Sequence, residues 1–479
     1  LIVKKRFMPT VAAFVILLGL LVYANYYETE EILLPGVQKP VSMLECSEDA
    51  IRSITWKNTS EAELKLTFSN GESRIVAPAE YRSDEDEATG LLKHFAQLRS
   101  ELIIAENATD TSAFGITASS PVVIVETASK TTRLTLGDKT EVGGSYYMVR
   151  QDDPRVFMVP GYISGSFAKQ IGDLRDRRFF YEDFGQVVEI SISSANQAIV
   201  LKQASATTDW LIESPVSLPA DGVVVAQLLK NIHDLRVSRF VEDAPDDPAG
   251  YGFASPSLKI AIVNKEGREF VLEAGEMSGV DTYVRVGGSA AIHAADTTAV
   301  GNLRFDTDDL REKLLPVPPL AEITTITLAD ATGSLRLEQK ASAWMLGVQK
   351  ITAGDVHEFV NALATARVNS FERTRDAARL AGYGLQAEEK CRLIEIKGSS
   401  ASLRLLLGNR KGATLSLLAG DELVDISAEL DEAFTTFINR LRRPVETGET
   451  VMGEPASDNQ SQADIASESS AKNEVNGTP

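Results

Sequence analysis

Cysteine is scarce in this chain. The 479 residues hold two, Cys46 and Cys391, too few for a disulfide framework and without any zinc-ligand spacing. At most they could form one long-range disulfide. Histidine is equally thin: His94, His233, His293 and His357 stand singly. No nucleophile, metal set or acid/base pair emerges from such a pattern, so neither enzymatic chemistry nor a cofactor is expected. Paired acids such as Asp246-Asp247 and Asp308-Asp309 have neither catalytic nor calcium-loop spacing. Positive charge is also short, with 48 Lys and Arg against 68 Asp and Glu, a net charge of −20. That balance argues against nucleic-acid binding, which needs Lys and Arg gathered on one face. It also disfavours broad adhesion to anionic lipid.

Long hydrophobic runs are missing except for one near the N-terminus. Lys4-Lys5-Arg6 precede residues 7–27, which carry no charge. As a helix this run would span roughly 30 Å, the thickness of a hydrocarbon core. Tyr23, Tyr26 and Tyr27 fall where an aromatic belt belongs, and Glu28, Glu30 and Glu31 follow. The expectation is a single-pass anchor in a bacterial inner membrane over residues 1–27. Its N-terminus would be cytoplasmic and the bulk of the chain periplasmic. Cleavage of a signal peptide after Ala24 is the alternative. Residues 28–49, with Pro35-Gly36 and Lys39-Pro40, read as a linker.

What the sequence does have is repetition. Phe114-Gly115-Ile116, Tyr251-Gly252-Phe253 and Tyr383-Gly384-Leu385 recur about one domain length apart. Ahead of them stand Leu98-Arg99-Ser100, Leu235-Arg236-Val237 and Ala366-Arg367-Val368. Behind them stand Leu136-Gly137-Asp138, Ala274-Gly275-Glu276 and Leu407-Gly408-Asn409. Three modules follow, over residues 50–180, 186–315 and 322–444. The expected fold is α+β, each module a mostly antiparallel sheet with two packed helices.

In module 1, Ile51, Ile54 and Trp56, then Leu64, Leu66 and Phe68, alternate as strands do. Asn70-Gly71 marks a hairpin. Ser83-Asp84-Glu85-Asp86 opens a helix with Leu91, Leu92, Phe95 and Leu98 on one face. Four strands centred on Val123, Leu134, Tyr147 and Phe157 should follow, then a helix over residues 162–180. Modules 2 and 3 repeat the order. Trp210 and Trp344 fall at equivalent strand positions and are expected in the core. Thr352 with Asp355 resembles a capping box. Residues 445–479 lack aromatics and are acidic, and read as a disordered tail.

Six glycines are expected as structural turn positions: Gly115, Gly252, Gly384, Gly137, Gly275 and Gly408. Leu136-Gly137-Asp138-Lys139-Thr140 resembles a phosphate loop but lacks its glycine spacing and following helix. It reads as a β-turn, with a ligand loop as the alternative. Gly143-Gly144 reads as a hairpin tip and Ser164 as a helix N-cap. Arg175, Arg177 and Arg178 close module 1, and Arg440, Arg442 and Arg443 close module 3. Solvated helix ends are one reading of these arginines, and contacts to the next module or to a partner are the other.

The landmarks together resemble the domain-of-unknown-function family numbered 4340 (DUF4340), in three tandem copies. Trp210-Leu211-Ile212 with Pro215-Val216 and Pro219-Ala220-Asp221 carries the likeness, as does Tyr251-Gly252-Phe253 with Pro256. So does Leu136-Gly137-Asp138-Lys139-Thr140, with Tyr146-Tyr147-Met148-Val149-Arg150 and Leu174-Arg175-Asp176-Arg177-Arg178. The second and third modules lose the Gly-Asp-Lys-Thr and Arg-Asp-Arg-Arg details. The resemblance implies a membrane-anchored envelope protein, an accessory subunit of an ABC-type transport or gliding-motility-like assembly. An ABC-type permease or other envelope proteins would be its partners. It supplies no catalytic residue. A periplasmic polysaccharide- or peptidoglycan-binding protein is the alternative, and an unrecognised enzyme a third.

Overall fold

A computed structural model of the chain describes residues 16–20, 22–23, 39–57, 62–141, 143–195, 197–204, 209–341, 343–385 and 391–443. Three nine-stranded antiparallel sheets, one per module, dominate it. The chain divides into two compact units, Leu1–Glu312 and Lys313–Pro479. The first holds modules 1 and 2, and the second holds module 3.

Module 1 sets the pattern. Its elements are β1 (Ile51–Lys57), β2 (Leu64–Ser69), β3 (Glu72–Ala77), β4 (Tyr81–Arg82), α1 (Glu85–Ala96) and β5 (Leu102–Ala105). Then come β6 (Val122–Thr127), β7 (Thr131–Lys139), β8 (Tyr146–Arg150), β9 (Val156–Val159), α2 (Ile163–Phe167) and α3 (Ile171–Leu174). The sheet order is β4-β3-β2-β1-β6-β7-β8-β9-β5. Helix α1 therefore carries the chain from one sheet edge to the other. Alternation does what the sequence expects: Ile54 faces Leu66 across β1 and β2. Asn70 (φ 54°) and Gly71 (φ 83°) make the turn between β2 and β3. Asp84 caps α1 by accepting from the amides of Asp86 and Glu87 at 3.0 and 3.1 Å. Leu91, Phe95 and Leu98 are buried against Ile54, Leu66, Val123, Leu134 and Phe157.

Modules 2 and 3 repeat this order strand for strand. Asp221 caps the crossing helix Gly222–Asp234. In module 3, Thr352 precedes the crossing helix Ala353–Thr365, but its side chain makes no cap hydrogen bond. The expected capping box is absent because Asp355 is engaged elsewhere, in an ion pair with Arg440. Trp210 and Trp344 are 9% and 5% exposed, both within their module's core.

Two further expectations are corrected. The molecule is more β-rich than expected, because two-residue edge strands such as β4 carry no readable period. The single helix over residues 162–180 is instead two short ones. Gln170 and Asp173 form a capping box that starts α3 afresh, and Arg175 leaves helical geometry at ψ 139°. The apolar stripe expected on that helix, Ile163, Phe167, Ile171 and Leu174, still faces the core: three are buried and Ile171 packs against them partly buried.

The expected membrane run mostly lies outside the described residues, as do the Ala24 cleavage site, residues 28–38 of the linker and the tail beyond residue 443. Residues 16–20 and 22–23 are helical. Among the described residues no helix is long and apolar enough to cross a membrane.

Candidate functional site

The repeat landmarks meet in space. Gly115, Gly252 and Gly384 take left-handed φ values of 72°, 88° and 79°, as a turn there requires. Gly137, Gly275 and Gly408 are not turn residues. They lie inside the strands Thr131–Lys139, Glu269–Ser278 and Ser402–Lys411, where the register shifts. A Cβ at these positions would sit 2.3, 2.1 and 2.3 Å from the backbone carbonyl oxygens of Phe114, Tyr251 and Tyr383. The bulge lets the aromatic-Gly turn press backbone to backbone onto the sheet. The Gly-Asp-Lys-Thr stretch is therefore a bulged strand, neither β-turn nor phosphate loop. Gly143-Gly144 does form a hairpin tip, with φ of 88° and 75°. Ser164 lies inside α2 and donates to the Gly161 carbonyl at 2.9 Å, while Tyr162 holds the N-cap position.

Among the described residues no group of three or more His, Cys, Asp and Glu side chains could hold a metal ion. Cys391 is buried, with its thiol 3.6 Å from the Gly384 carbonyl oxygen, and Cys46 is half-buried. His94 is 3.0 Å from the Ser166 hydroxyl, and His357 is exposed on its helix. His233 lies edge-on to Phe184.

The arginines that close module 1 join it to module 2. Arg175 bonds both oxygens of Asp243, at 2.8 and 3.2 Å, with its guanidinium between the rings of Tyr81 (3.9 Å) and Phe240 (4.0 Å). The Tyr81 hydroxyl donates to Asp243 at 2.8 Å. Arg177 donates to the Ser238 and Gly172 carbonyls at 3.1 and 3.2 Å. Arg178 folds back onto Asp176. The backbone between them serves both modules: the Asp176 amide donates to the Arg82 carbonyl at 3.0 Å, and the Arg177 carbonyl accepts from Val237 at 2.7 Å. Phe179, Phe180 and Phe184 already belong to the core of module 2.

Burial pushes the Asp243 carboxyl up. Hydrogen bonds from Arg175 and Tyr81, with the Arg175 charge, more than offset this and leave it below the ordinary value of 3.8. A depressed folded value means this contribution is full above the unfolded pKa and is lost as pH falls below it. Arg175→Ala is expected to cost about 2–3 kcal/mol, less than a fully buried pair because Asp243 is partly exposed. Proteolysis between residues 175 and 185 should accelerate. Arg175→Lys should restore little, since an ammonium cannot make the bidentate, ring-stacked contact. Unchanged unfolding and cleavage would refute the clamp.

A second feature was not visible in the sequence. Module 2 has a cavity of about 300 Å³ lined by Arg178, Phe180, Tyr181, Arg268, Phe270 and His293, among others. His293 lies on the strand Ile292–Asp296, paired with Val284 and Phe240. The same register holds Phe157 in module 1, opposite Met148 and Ile103, and Val424 in module 3, opposite Leu417 and Phe371. Phe157 and Val424 are 0% and 2% exposed core residues. Module 2 therefore puts an imidazole where its siblings put hydrocarbon. Its Nδ1 is buried without a hydrogen-bond partner among the described residues. Burial and the nearby Arg175 charge hold its pKa below the ordinary histidine value. Strand register supplies the signal: it aligns His293 with Phe157 and Val424 and marks the exception. Comparing the histidines only with one another misses it.

The geometry defines a tandem array of antiparallel-sheet modules, two of them clamped through a shared connector. The family described as "Domain of unknown function (DUF4340)" matches residues 74–209 and 210–415, and the chain belongs to that family. Each match begins within the third strand of a module or at its first residue. Comparison with curated proteins and with solved structures returned no match.

Proposed function

We propose that this chain is a non-enzymatic, membrane-anchored envelope scaffold, an accessory subunit of an ABC-type transport or gliding-motility-like assembly. The observation that carries the scaffold reading is the Arg175–Asp243 clamp. Charged side chains closing module 1 are spent on fixing its junction with module 2. Besides an arginine held in a backbone bridge after each crossing helix (Arg99, Arg236 and Arg367), the features that recur between modules are turn glycines, bulge glycines and apolar core positions. Those are what a shared fold needs, and a shared chemistry would add recurring polar positions. Ile16, Leu17, Leu18, Leu20 and Val22 are exposed apolar side chains, suited to an apolar phase. The transport assignment rests on the family resemblance. For the glycan alternative an open aromatic platform would be wanted, and one face of the Tyr181 ring carries Arg82 at 4.6 Å.

The test is co-purification from detergent-solubilised membranes. The full chain should bring down an ATPase and a permease in fixed proportion. A chain ending at Glu312 keeps the first compact unit whole and should recover less of them. Recovery of neither by the full chain would sink the transport assignment.

A further inference from the structure

We propose that the module 2 cavity binds a small organic carboxylate with an apolar body. This inference stands independently of the scaffold reading. Three observations converge on it. First, the half-buried imidazole of His293 lines the cavity where modules 1 and 3 carry hydrocarbon, and its buried Nδ1 has no hydrogen-bond partner among the described residues, which costs stability.

Second, module 2 closes this end of its sheet with smaller residues than module 1 does. The loop closing it is Gly287-Gly288-Ser289-Ala290-Ala291. In module 1 the corresponding loop carries Arg150, Asp153 and Arg155. There Arg150 bonds Asp153 at 2.7 Å and donates to the Ser42 carbonyl at 3.2 Å, so side chains fill that end of the module. Small residues in module 2 leave it open.

Third, the lining has two kinds of surface. Phe180, Phe270 and Val271 offer hydrocarbon, while Arg178 and Arg268 bring guanidinium groups to the same cavity. Arg178 is held by Asp176, a buried carboxylate. Arg268 is held by Glu182, and both side chains of that pair are 56% exposed. An exposed pair is worth little, so an incoming carboxylate can replace Glu182 and take the bidentate geometry that arginine offers. The volume lies at the lower end for ligand pockets. At about 30 Å³ per water-sized group it suits roughly ten non-hydrogen atoms.

Phenylacetate is a suitable probe, titrated into the full chain and followed by ligand-observed NMR. The expected result is saturable binding with a Kd of about 1 mM, ordinary for that many atoms. Phenylacetamide, the neutral isostere, should bind at least about tenfold more weakly, as charge-assisted bonds are lost. Arg268→Ala should weaken phenylacetate by a similar factor. His293→Phe, which restores the module 1 residue and favours folding, should abolish it. Three results would each overturn the proposal: no saturation, equal binding of the amide, or binding indifferent to both substitutions.

Discussion

Gly275→Ala is expected to destabilise module 2 by about 3 kcal/mol, the upper end for overpacking. One methyl group is enough. Its carbon would lie 2.1 Å from the Tyr251 carbonyl oxygen, and that obstacle is backbone rather than a flexible side-chain end. Relief requires lifting the Tyr251-Gly252 turn off the strand or closing the bulge. Either move disturbs the strand pairing on which the sheet depends. Gly137→Ala and Gly408→Ala should act alike, meeting the carbonyls of Phe114 and Tyr383 at 2.3 Å. Gly222→Ala is the control: it begins the crossing helix in open space, and alanine there should be neutral or slightly stabilising. Calorimetry should show a fall of about 2–4 °C for each kcal/mol lost. A Gly275→Ala protein that melts with the control would mean that the turn and strand do not touch as described.

Trp344→Ala is expected to cost about 3–5 kcal/mol. The indole lies on the strand Ala343–Leu346, paired with Gln339 and Ile351. It shares a core with Leu337, Val356 and Phe359, so truncation leaves a large apolar void beneath the crossing helix. Trp210→Ala should fall at the lower end of that range, since Trp210 is slightly more exposed. In urea, the midpoint for the unit Lys313–Pro479 should drop with little change in slope. A loss of about 0.5 kcal/mol or less, typical of a surface site, would place Trp344 outside the core.

How much of this was legible follows from which signals are local. The hairpin at Asn70-Gly71 and the faces of Leu91 and Phe95 depend on neighbours a few residues away, and sequence periodicity displays them. The bulge at Gly137 depends on Phe114, which approaches from a different strand connection. A glycine there reads as a turn because turns are the commoner reason for one. The clamp was legible only as an open choice between solvated arginines and module contacts. Asp243 and Phe240 settle it, and they are brought to Arg175 by sheet pairing. The cavity was hidden for another reason. Its mark is a departure from the repeat at His293, seen only once strand registers are known.

The connector also changes where the chain can be cut. Residues 180–186 look like a natural gap between modules when landmarks alone are followed. Yet Phe179, Phe180 and Phe184 pack with Ile190 and Phe270 in module 2, and Met43 and Leu44 likewise pack into module 1 ahead of its first strand. A fragment begun at residue 186 would discard three phenylalanines of its own interior. One ended at residue 174 would strip module 1 of the connector segment whose Asp176 amide pairs with the Arg82 carbonyl. The same few residues thus belong to two folding units at once. Neither unit can be excised cleanly, and swapping one module for another would have to carry the seam along with it.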